Sequence, residues 1–292
     1  MPKTLEQGFD KFLEWLVPSS SEHNKAISHK SSVKSSLVKS FGCSSLLETG
    51  SFGNGTGIRG YSDTDYFAVC PSQNLAGKSN YILKKVKESL QFTFHRTSRI
   101  RVNSPSVAIV FGRHASENLE ITPCFNHTFV ETPFGKRKAY AIPDNNGQWM
   151  LSSPKAHKDY VEANNKRLNG KLKPLIRLVK AWKCYNNVPI NSFYLELRIT
   201  KFCENKKKIN FETDLYGIIK KLYDIQLASI QDPMKVSGII NACKTYEKKK
   251  KALSKLGTAY SRANKAYFYR NTNLDKCFYW WNLFFSKKFP KR

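Results

Sequence analysis

A glycine-rich turn and two carboxylates stand close together in residues 50–66, GSFGNGTGIRGYSDTDY. Gly50 and Ser51 follow an apolar run, where a glycine lets the backbone approach a ligand closely. Such a turn can aim backbone N–H groups and the Ser51 hydroxyl at phosphate oxygens. Asp63 and Asp65 come at the head of the next strand, and side chains two residues apart on a strand share one face. Two carboxylates on one face repel each other unless a cation lies between them, and Mg²⁺ prefers such oxygens together with substrate phosphates.

A third carboxylate is expected on a neighbouring strand, because two-metal chemistry usually needs one more acid. The run NLEITPCF, residues 118–125, supplies Glu120, and its neighbours Leu119 and Ile121 are predicted to point into the core. An inward acid would be unfavourable here unless metal or solvent stabilised it. Glu117, in a segment typical of a loop, is the nearest alternative. Glycine-rich turns and paired acids each occur often in ordinary loops, but their order and spacing here favour phosphoryl or nucleotidyl transfer.

The elements that must position these residues follow an α+β pattern. Strands are predicted at 45–49, 66–70, 99–103, 107–111 and 119–125. Helices are predicted near 4–16, 23–41 and 79–92, then from Ser153-Pro154 onward and near 192–203, 213–227, 235–256 and 258–285. We expect a mixed sheet with helices in residues 1–150 and a helical region in residues 151–292. The first helices could pack on the helical region.

The charge balance indicates an anionic partner. The 292 residues include 49 Lys+Arg and 22 Asp+Glu, a formal charge of +27. Residues 1–146 hold 18 basic and 12 acidic residues, whereas residues 147–292 hold 31 and 10. This surplus predicts attraction to nucleotides, nucleic acid or an anionic surface, mostly in the second half. No apolar run of about 18 residues is present, and acids stand among the apolar residues at 1–16, so we expect neither a membrane span nor a signal peptide. Seven scattered cysteines without a CxxC pair fit a reducing cytoplasm.

The glycine–serine turn, the DxD strand and the later acidic strand together resemble the polymerase-β-like nucleotidyltransferases. The segments KPLIRLVKAWKCYNN, NSFYLELRITKF and WWNLFFSKKFP extend the resemblance over nearly the whole chain. They are similar to segments of the CD-NTases, cyclic-oligonucleotide synthases of bacterial CBASS anti-phage defence that are related to cGAS and the oligoadenylate synthases. Two features depart from the family pattern. Glu120 stands where many relatives have aspartate, and FSKKFP stands where relatives often carry a glycine.

The resemblance implies an enzyme that joins NTP substrates (ATP, GTP or a pyrimidine NTP) into a cyclic di- or trinucleotide, which a downstream effector then binds. It implies a polymerase-β-like catalytic lobe in residues 1–150, in which Asp63, Asp65 and Glu120 hold two Mg²⁺ ions, with Mn²⁺ as an alternative. It further implies a helical nucleotide-binding or regulatory lobe in residues 151–292, with a cleft between the two lobes. It also implies nucleotide-binding roles for Gly50, Ser51, Lys180, Ser192 and Phe193. From the residues alone, Lys180 could equally extend to solvent and Phe193 could equally be a core aromatic.

Clusters of basic residues have two interpretations. They are Arg96, Arg99, Arg101, Lys206, Lys207, Lys208, Lys248, Lys249, Lys250 and Lys251. One interpretation is a solvated surface, and the other is a surface that binds an activating RNA through its phosphates. Relatives that are switched on by duplexes support the second only by analogy. A linear oligonucleotide synthase, an RNA-tailing nucleotidyltransferase and a non-catalytic nucleic-acid-binding protein are the alternatives to a cyclase. The presence of all three acids disfavours the last.

Overall fold

The computed structural model describes residues 1–19, 24, 27–61, 63–97, 99–112 and 117–292, and within them the chain forms two compact units. One unit consists of residues 18–160 and 234–237. The other consists of residues 1–17, 161–233 and 238–292. We call the first the sheet unit and the second the helical unit. The assignment of separate roles to residues 1–150 and 151–292 stays a prediction.

A mixed sheet, seven-stranded in the described part of the chain, forms the sheet unit. Its strands are β1 (Ser45–Thr49), β2 (Thr64–Val69), β3 (Ile100–Asn103), β4 (Ser106–Phe111), β5 (Glu117–Thr132), β6 (Gly135–Pro143) and β7 (Trp149–Ser152). The order is β1-β2-β5-β4-β3, in which β2 and β5 are parallel and the other neighbours antiparallel. The second half of β5 pairs with β6, and a bulge between Asn126 and Thr128 interrupts the register of that pair. Strand β6 in turn pairs with β7.

Helices are numbered in chain order, and the first, α1 (Leu5–Leu16), belongs to the helical unit. Those in the sheet unit are α2 (Lys30–Phe41), α3 (Gly50–Gly53) and α4 (Ser79–Thr93). Leu37 of α2 and Ile82 of α4 belong to the same buried cluster as Leu119 and Ile121 of β5. A second buried cluster, which includes Phe67, contains the alternate residues of β2. The strands therefore bury both of their faces, as a sheet with period-two alternation of apolar residues requires.

Helix α5 (Pro154–Arg167) begins at the predicted Ser153-Pro154 pair and is tied to β6 by charge. Asp159 accepts a hydrogen bond from Arg137 Nε at 2.6 Å and another from Lys155. Burial alone would raise the pKa of Asp159, but the hydrogen bonds from Lys155 and Arg137 outweigh it and lower that pKa. The ionised carboxylate is therefore the form that the folded state favours.

The helical unit contains α1, the second part of α5 and most of the remaining chain. Its further elements are α6 (Leu172–Tyr185), α7 (Ser192–Cys203), α8 (Phe211–Asp224), the short strands β8 (Ile230–Gln231) and β9 (Ile239–Ile240), α9 (Tyr246–Tyr269) and α10 (Leu274–Phe284). Its core is aromatic: Phe9 packs edge-on against Trp281 at 5.5 Å between ring centroids, and Phe12 lies 4.5 Å from Phe285. These contacts assign α1 to the helical unit.

The predicted α+β class with a mixed sheet is confirmed, and α7 has the predicted bounds of 192–203. Strands β6 and β7 were not predicted. In β6, the charged residues of the first half obscure the alternation of apolar and polar side chains. The helices predicted at 235–256 and 258–285 are wrong, since α9 runs through Gly257 and the break comes at 270–273. Asn273 caps α10 by accepting from the Lys276 N–H. Residues 23, 25 and 26 of the predicted second helix lie outside the described residues.

All seven cysteines are reduced thiols, and five of them are buried. The buried ones pack as small apolar residues. In the ranges that the structure describes, no helix combines the length and apolar character needed to cross a membrane.

Candidate active site

One row of paired residues crosses the sheet from β1 to β3. Thr49 pairs with Asp65, Asp65 with Glu120, Glu120 with Ala108, and Ala108 with Arg101. Residues that are directly paired project to the same side of a sheet, so two carboxylates and one guanidinium group share a face. Adjacent strands are about 4.8 Å apart, which brings Asp65 and Glu120 together as the sequence predicted.

The alternation of β5 decides which face carries the acids. Leu119 and Ile121 are fully buried in the cluster that includes α2 and α4. Glu120 lies between them in sequence and is only partly buried. The prediction that Leu119 and Ile121 point into the core is therefore confirmed, and Glu120 projects to the opposite face.

Gly50 lies directly against Asp65. Its φ is +60°, and a Cβ added there would lie 1.8 Å from Asp65 Oδ2. A glycine is therefore required both for the left-handed backbone and for the space that the carboxylate occupies. Ser51 follows in α3 and is partly buried. The predicted glycine–serine turn is thus beside a predicted metal ligand.

Two asparagine side chains hold two of the carboxylates. Asn118 Nδ2 donates to Asp63 Oδ1 at 2.7 Å, and Asn103 Nδ2 donates to Glu120 Oε1 at 2.7 Å. Asn118 Oδ1 is buried and has no hydrogen-bond partner among the described residues. Neither asparagine was predicted. Asn118 stands two residues before Glu120 and so shares its face of β5, which is the spacing that could have revealed it.

The donor set on this face fits a hard divalent cation. Carboxylate oxygens of Asp63, Asp65 and Glu120, with the buried amide oxygen of Asn118, are ligands of the type that Mg²⁺ prefers. The missing Cβ of Gly50 leaves Asp65 the space it needs. Within the described residues, however, no three His, Cys, Asp or Glu side chains converge on one point. Asp63 and Glu120 each accept a hydrogen bond from a different asparagine. The side chain of Glu117 lies outside the described part of the chain.

Tyr66, the neighbour of Asp65, is not suited to act as a base. Burial, reinforced by the charge of Glu48, raises the pKa of Tyr66 to about 12. The phenol therefore stays protonated near neutral pH. Its hydroxyl is buried and finds no hydrogen-bond partner in the described ranges.

The register of β3, β4 and β5 places Arg101 on the acid-bearing face, and its predicted role in binding nucleic acid stays a prediction. Its Cα is two strand spacings from that of Glu120, about 10 Å, and only the small side chain of Ala108 stands between them. Arg101 is exposed, and so are Arg96 and Arg99. The register places Arg101 where a long cationic side chain can approach the phosphates of a substrate bound near the carboxylates.

Lys180 is buried, which argues against the phosphate contact predicted for it. Its side chain is only 4% exposed, and Nζ lies 2.8 Å from Oε1 of Glu196, itself 5% exposed. One turn further along α6, Lys183 Nζ donates to Ser192 Oγ at 2.6 Å. The lysine that the structure brings to Ser192 is therefore Lys183. The sequence pattern alone did not reveal which of the two lysines faces the core.

The predicted nucleotide-binding residues of α7 lie at its first turn. Asn191 caps the helix by accepting a hydrogen bond from the Phe193 N–H at 2.9 Å. Ser192 and Phe193 are both partly buried. The next residue, Tyr194, is a core aromatic whose hydroxyl donates to the Ala228 carbonyl at 2.7 Å.

The predicted lysine clusters differ in how their charges are used. Lys206 Nζ lies 2.7 Å from Asp214 Oδ1, so its charge is paired inside the helical unit. The exposed lysines of the two clusters are Lys207, Lys208, Lys248, Lys250 and Lys251, and Lys249 is partly buried. The cluster at 248–251 occupies the first turns of α9.

Comparison with known sequences identifies one family. The model of the Second Messenger Oligonucleotide or Dinucleotide Synthetase domain, SMODS, matches residues 3–165. The chain is 25% identical over 173 residues to a probable cyclic nucleotide synthase of Bacillus cereus (strain VD146), covering 59% of this chain and 51% of that protein. It is 27% identical over 166 residues to a cyclic AMP-AMP-AMP synthase of Acinetobacter sp. (strain ATCC 27244 / 9458), covering 52% and 47%. The chain thus matches about half the length of these curated relatives.

Solved structures share the fold. CdnC of E. coli MS115-1 with ATP superposes with a TM-score of 0.74 at 16% identity, covering 98% of both chains. Vibrio cholerae DncV cyclic AMP-GMP synthase, in complex with a linear intermediate, has a TM-score of 0.65 at 14% identity, covering 85% of this chain and 70% of that one. These similarities establish the architecture of the two units.

Proposed function

Because the chain belongs to the family of Second Messenger Oligonucleotide or Dinucleotide Synthetase domains, we propose that it is a nucleotidyltransferase that joins NTPs into a cyclic di- or trinucleotide. The pairing of Asp65 with Glu120 beside Gly50 carries the proposal. The names of the two curated relatives, one a cyclic AMP-AMP-AMP synthase, support a cyclic product.

The residues of the sheet unit would prepare the reacting groups. Asp63, Asp65 and Glu120 would hold Mg²⁺, which when bound supplies Lewis-acid activation of the acceptor hydroxyl and neutralises charge on the triphosphate. The turn at Gly50 and Ser51 would direct N–H groups and a hydroxyl at the β- and γ-phosphates. The exposed guanidinium of Arg101 would add a cation on the same face.

The residues of the helical unit would hold the donor nucleotide. Lys183 and Ser192 already form a hydrogen-bonded pair, which supplies a cation and a hydroxyl to triphosphate oxygens. Phe193 at the same helix end would stack on a base. Lys180 would act indirectly, by forming the buried ion pair with Glu196 that keeps α6 and α7 together. In the first transfer the acceptor hydroxyl would displace pyrophosphate from the α-phosphate of the donor. The linear product would then turn over, and its free hydroxyl would displace pyrophosphate from its own 5′-triphosphate, which closes the ring.

The test is incubation of the full chain with all four NTPs and Mg²⁺ or Mn²⁺, followed by phosphatase treatment and mass spectrometry. A phosphatase-resistant product supports cyclisation. A phosphatase-sensitive chain supports the linear synthase, and extension of an added RNA primer supports a tailing enzyme. The double change Asp63→Asn and Asp65→Asn should abolish turnover while leaving the melting temperature near that of the wild type. Turnover that survives this change would exclude the metal-site assignment.

Activation by RNA and a role in anti-phage defence are further parts of the proposal. The exposed lysines at 248–251 and the 31 basic residues in positions 147–292 support a polyanion partner. Product formation should increase when phage-derived RNA is added, and less so at high salt. Phage plating on cells that carry the gene with its genomic neighbours, compared with the double acid variant, tests the defence role. Equal plating on both strains would contradict it.

A further inference from the structure

A surface cavity in the helical unit has no part in the chemistry described above. Its volume is about 480 Å³, which falls within the usual range of ligand sites. It is lined by residues of three helices, among them Tyr216 of α8, Phe268 of α9 and Trp280 of α10. The lining combines aromatic rings with cationic side chains and one amide.

Cations lie directly over aromatic rings around this cavity. Lys265 Nζ is 4.3 Å from the centroid of the Trp280 ring, and the Arg270 guanidinium is 3.7 Å from that of Tyr267. Phe268 is 70% exposed, which is unusual for so apolar a side chain. Exposed rings of this kind stack with nucleobases, and adjacent cations pair with the phosphates between them.

The wall of the cavity is held in place before any ligand binds. Tyr216 and Tyr267 are stacked at 4.5 Å between ring centroids with an interplanar angle of 15°. The Tyr216 hydroxyl lies 3.2 Å from Asn264 Oδ1 and donates to it. Because this bond uses Oδ1 of the exposed Asn264 amide, the NH₂ group of that amide points away from Tyr216. The NH₂ group can then donate to an acceptor on a base edge.

The charge around the cavity favours a polyanion. Residues 238–292 contain 14 basic residues and two acidic ones. Glu212, from α8, also lies near the cavity, and its Oε1 is 3.6 Å from Arg270 Nε. Along α9, the lysines at 248–251 are about 22 Å from Lys265 at 1.5 Å rise per residue. An extended strand with its bases at the cavity could therefore continue toward a second group of cations. An acidic protein segment would satisfy the charge but would leave the aromatic rings without a role.

We propose that the helical unit binds single-stranded nucleic acid, with an unpaired base stacked on Phe268 and Trp280 and its phosphates on Lys265 and Arg270. Lys183 and Ser192, which we propose hold the donor nucleotide, are not among the residues that line this cavity. Binding does not require turnover, so the site can be tested whether or not the proposed synthesis is correct.

The first test measures binding of a fluorescein-labelled oligouridylate of 12 nucleotides to the full chain by fluorescence anisotropy. Phe268→Ala should weaken binding about 5- to 150-fold, the range that loss of one base–aromatic stack produces. The matched control is Phe92→Ala, since Phe92 is 88% exposed on α4 of the sheet unit and should leave affinity unchanged. Lys265→Gln should lower the slope of log K against log salt by about 0.7. Equal affinities of the two phenylalanine variants would overturn the proposal.

The second test locates the strand. An oligonucleotide carrying 5-iodouracil should photocross-link to a peptide within residues 264–280, and unlabelled oligouridylate should compete with it. UMP and a blunt RNA duplex of the same length should compete at least tenfold more weakly. A cross-link elsewhere, preference for the duplex, or tight binding of UMP alone would each overturn the assignment of a single-strand site. Product formation without RNA should be the same in wild type and Phe268→Ala, which separates this result from failure of the synthesis proposal.

Discussion

The contact between Gly50 and Asp65 predicts a large loss of activity in Gly50→Ala. The added Cβ would lie 1.8 Å from Asp65 Oδ2, whereas Cβ contacts under 3.0 Å are essentially never seen in proteins. The carboxylate or the turn must therefore move by about 1.2 Å. A displacement of about 1 Å at a reacting centre can reduce the rate ~100-fold. The left-handed backbone at Gly50 adds strain of about 1–2 kcal/mol when alanine replaces glycine.

Gly60→Ala is the matched control for this change. Gly60 has φ +72°, and a Cβ there would meet no atom within 4 Å, so alanine adds the strain without the clash. Pyrophosphate release with NTPs and Mg²⁺ measures activity, and thermal melting measures stability. We expect a similar small loss of stability from the backbone strain in both variants, because that strain is common to them. Only Gly50→Ala should lose about 100-fold in rate.

Equal activity of Gly50→Ala and Gly60→Ala would refute this reasoning, because Asp65 would then tolerate displacement. A second check uses the Asp65→Asn background, in which Gly50→Ala should cause little further loss of rate. A full additional 100-fold loss there would show that the glycine acts through something other than Asp65.

Three further predictions concern groups that hold other parts of the structure. Asn118→Ala removes the amide that holds Asp63, so pyrophosphate release should fall about 10- to 100-fold and need more Mg²⁺, and an unchanged Mg²⁺ requirement would contradict a positioning role. Lys180→Met removes the cation that pairs with the buried Glu196 carboxylate, which should cost about 3–5 kcal/mol of unfolding free energy in urea, whereas Lys180→Met with Glu196→Leu should regain most of it; no recovery would mean that the ion pair is not the cause. The lowered pKa of Asp159 means that its contribution to stability is present above about pH 4 and is lost as pH falls through that lowered pKa. Asp159→Asn should therefore reduce the melting temperature at pH 7 and reduce it progressively less as the pH falls below 4, and a reduction that does not change with pH would refute the linkage.

Local patterns were sufficient to predict the core of the candidate site. The glycine–serine turn and the paired acids are adjacent in sequence, and apolar alternation alone orients Glu120 away from the core. The asparagines were not predictable in this way. Asn103 reaches Glu120 from β3, across the strand that carries Ala108, and that contact depends on the register of three strands. A register of this kind is set by tertiary packing and is not visible in a single segment.

The lysines of α6 show the same limit in a helix. Lys180 and Lys183 are three residues apart and have similar apolar neighbours, so periodicity places both near the edge of the buried stripe. The choice between them depends on Glu196, which approaches from α7 and pairs with Lys180. Lys206, one of the lysines predicted for the basic surface, likewise pairs with an acid from another helix, Asp214.

The predicted cytoplasmic location stays a prediction.

The parallel pairing of β2 with β5 determines where the chain can change in length. Asp65 and Glu120 are 55 positions apart in sequence but face each other through one ladder of hydrogen bonds. Turns between the two strands can gain or lose residues at little cost, because their length does not enter the register. A single deletion inside β5 before Glu120 would instead bring an apolar neighbour opposite Asp65 and send the acid to the buried face. Changes in length among descendants of this sequence should therefore accumulate in those turns and be absent from the two strands.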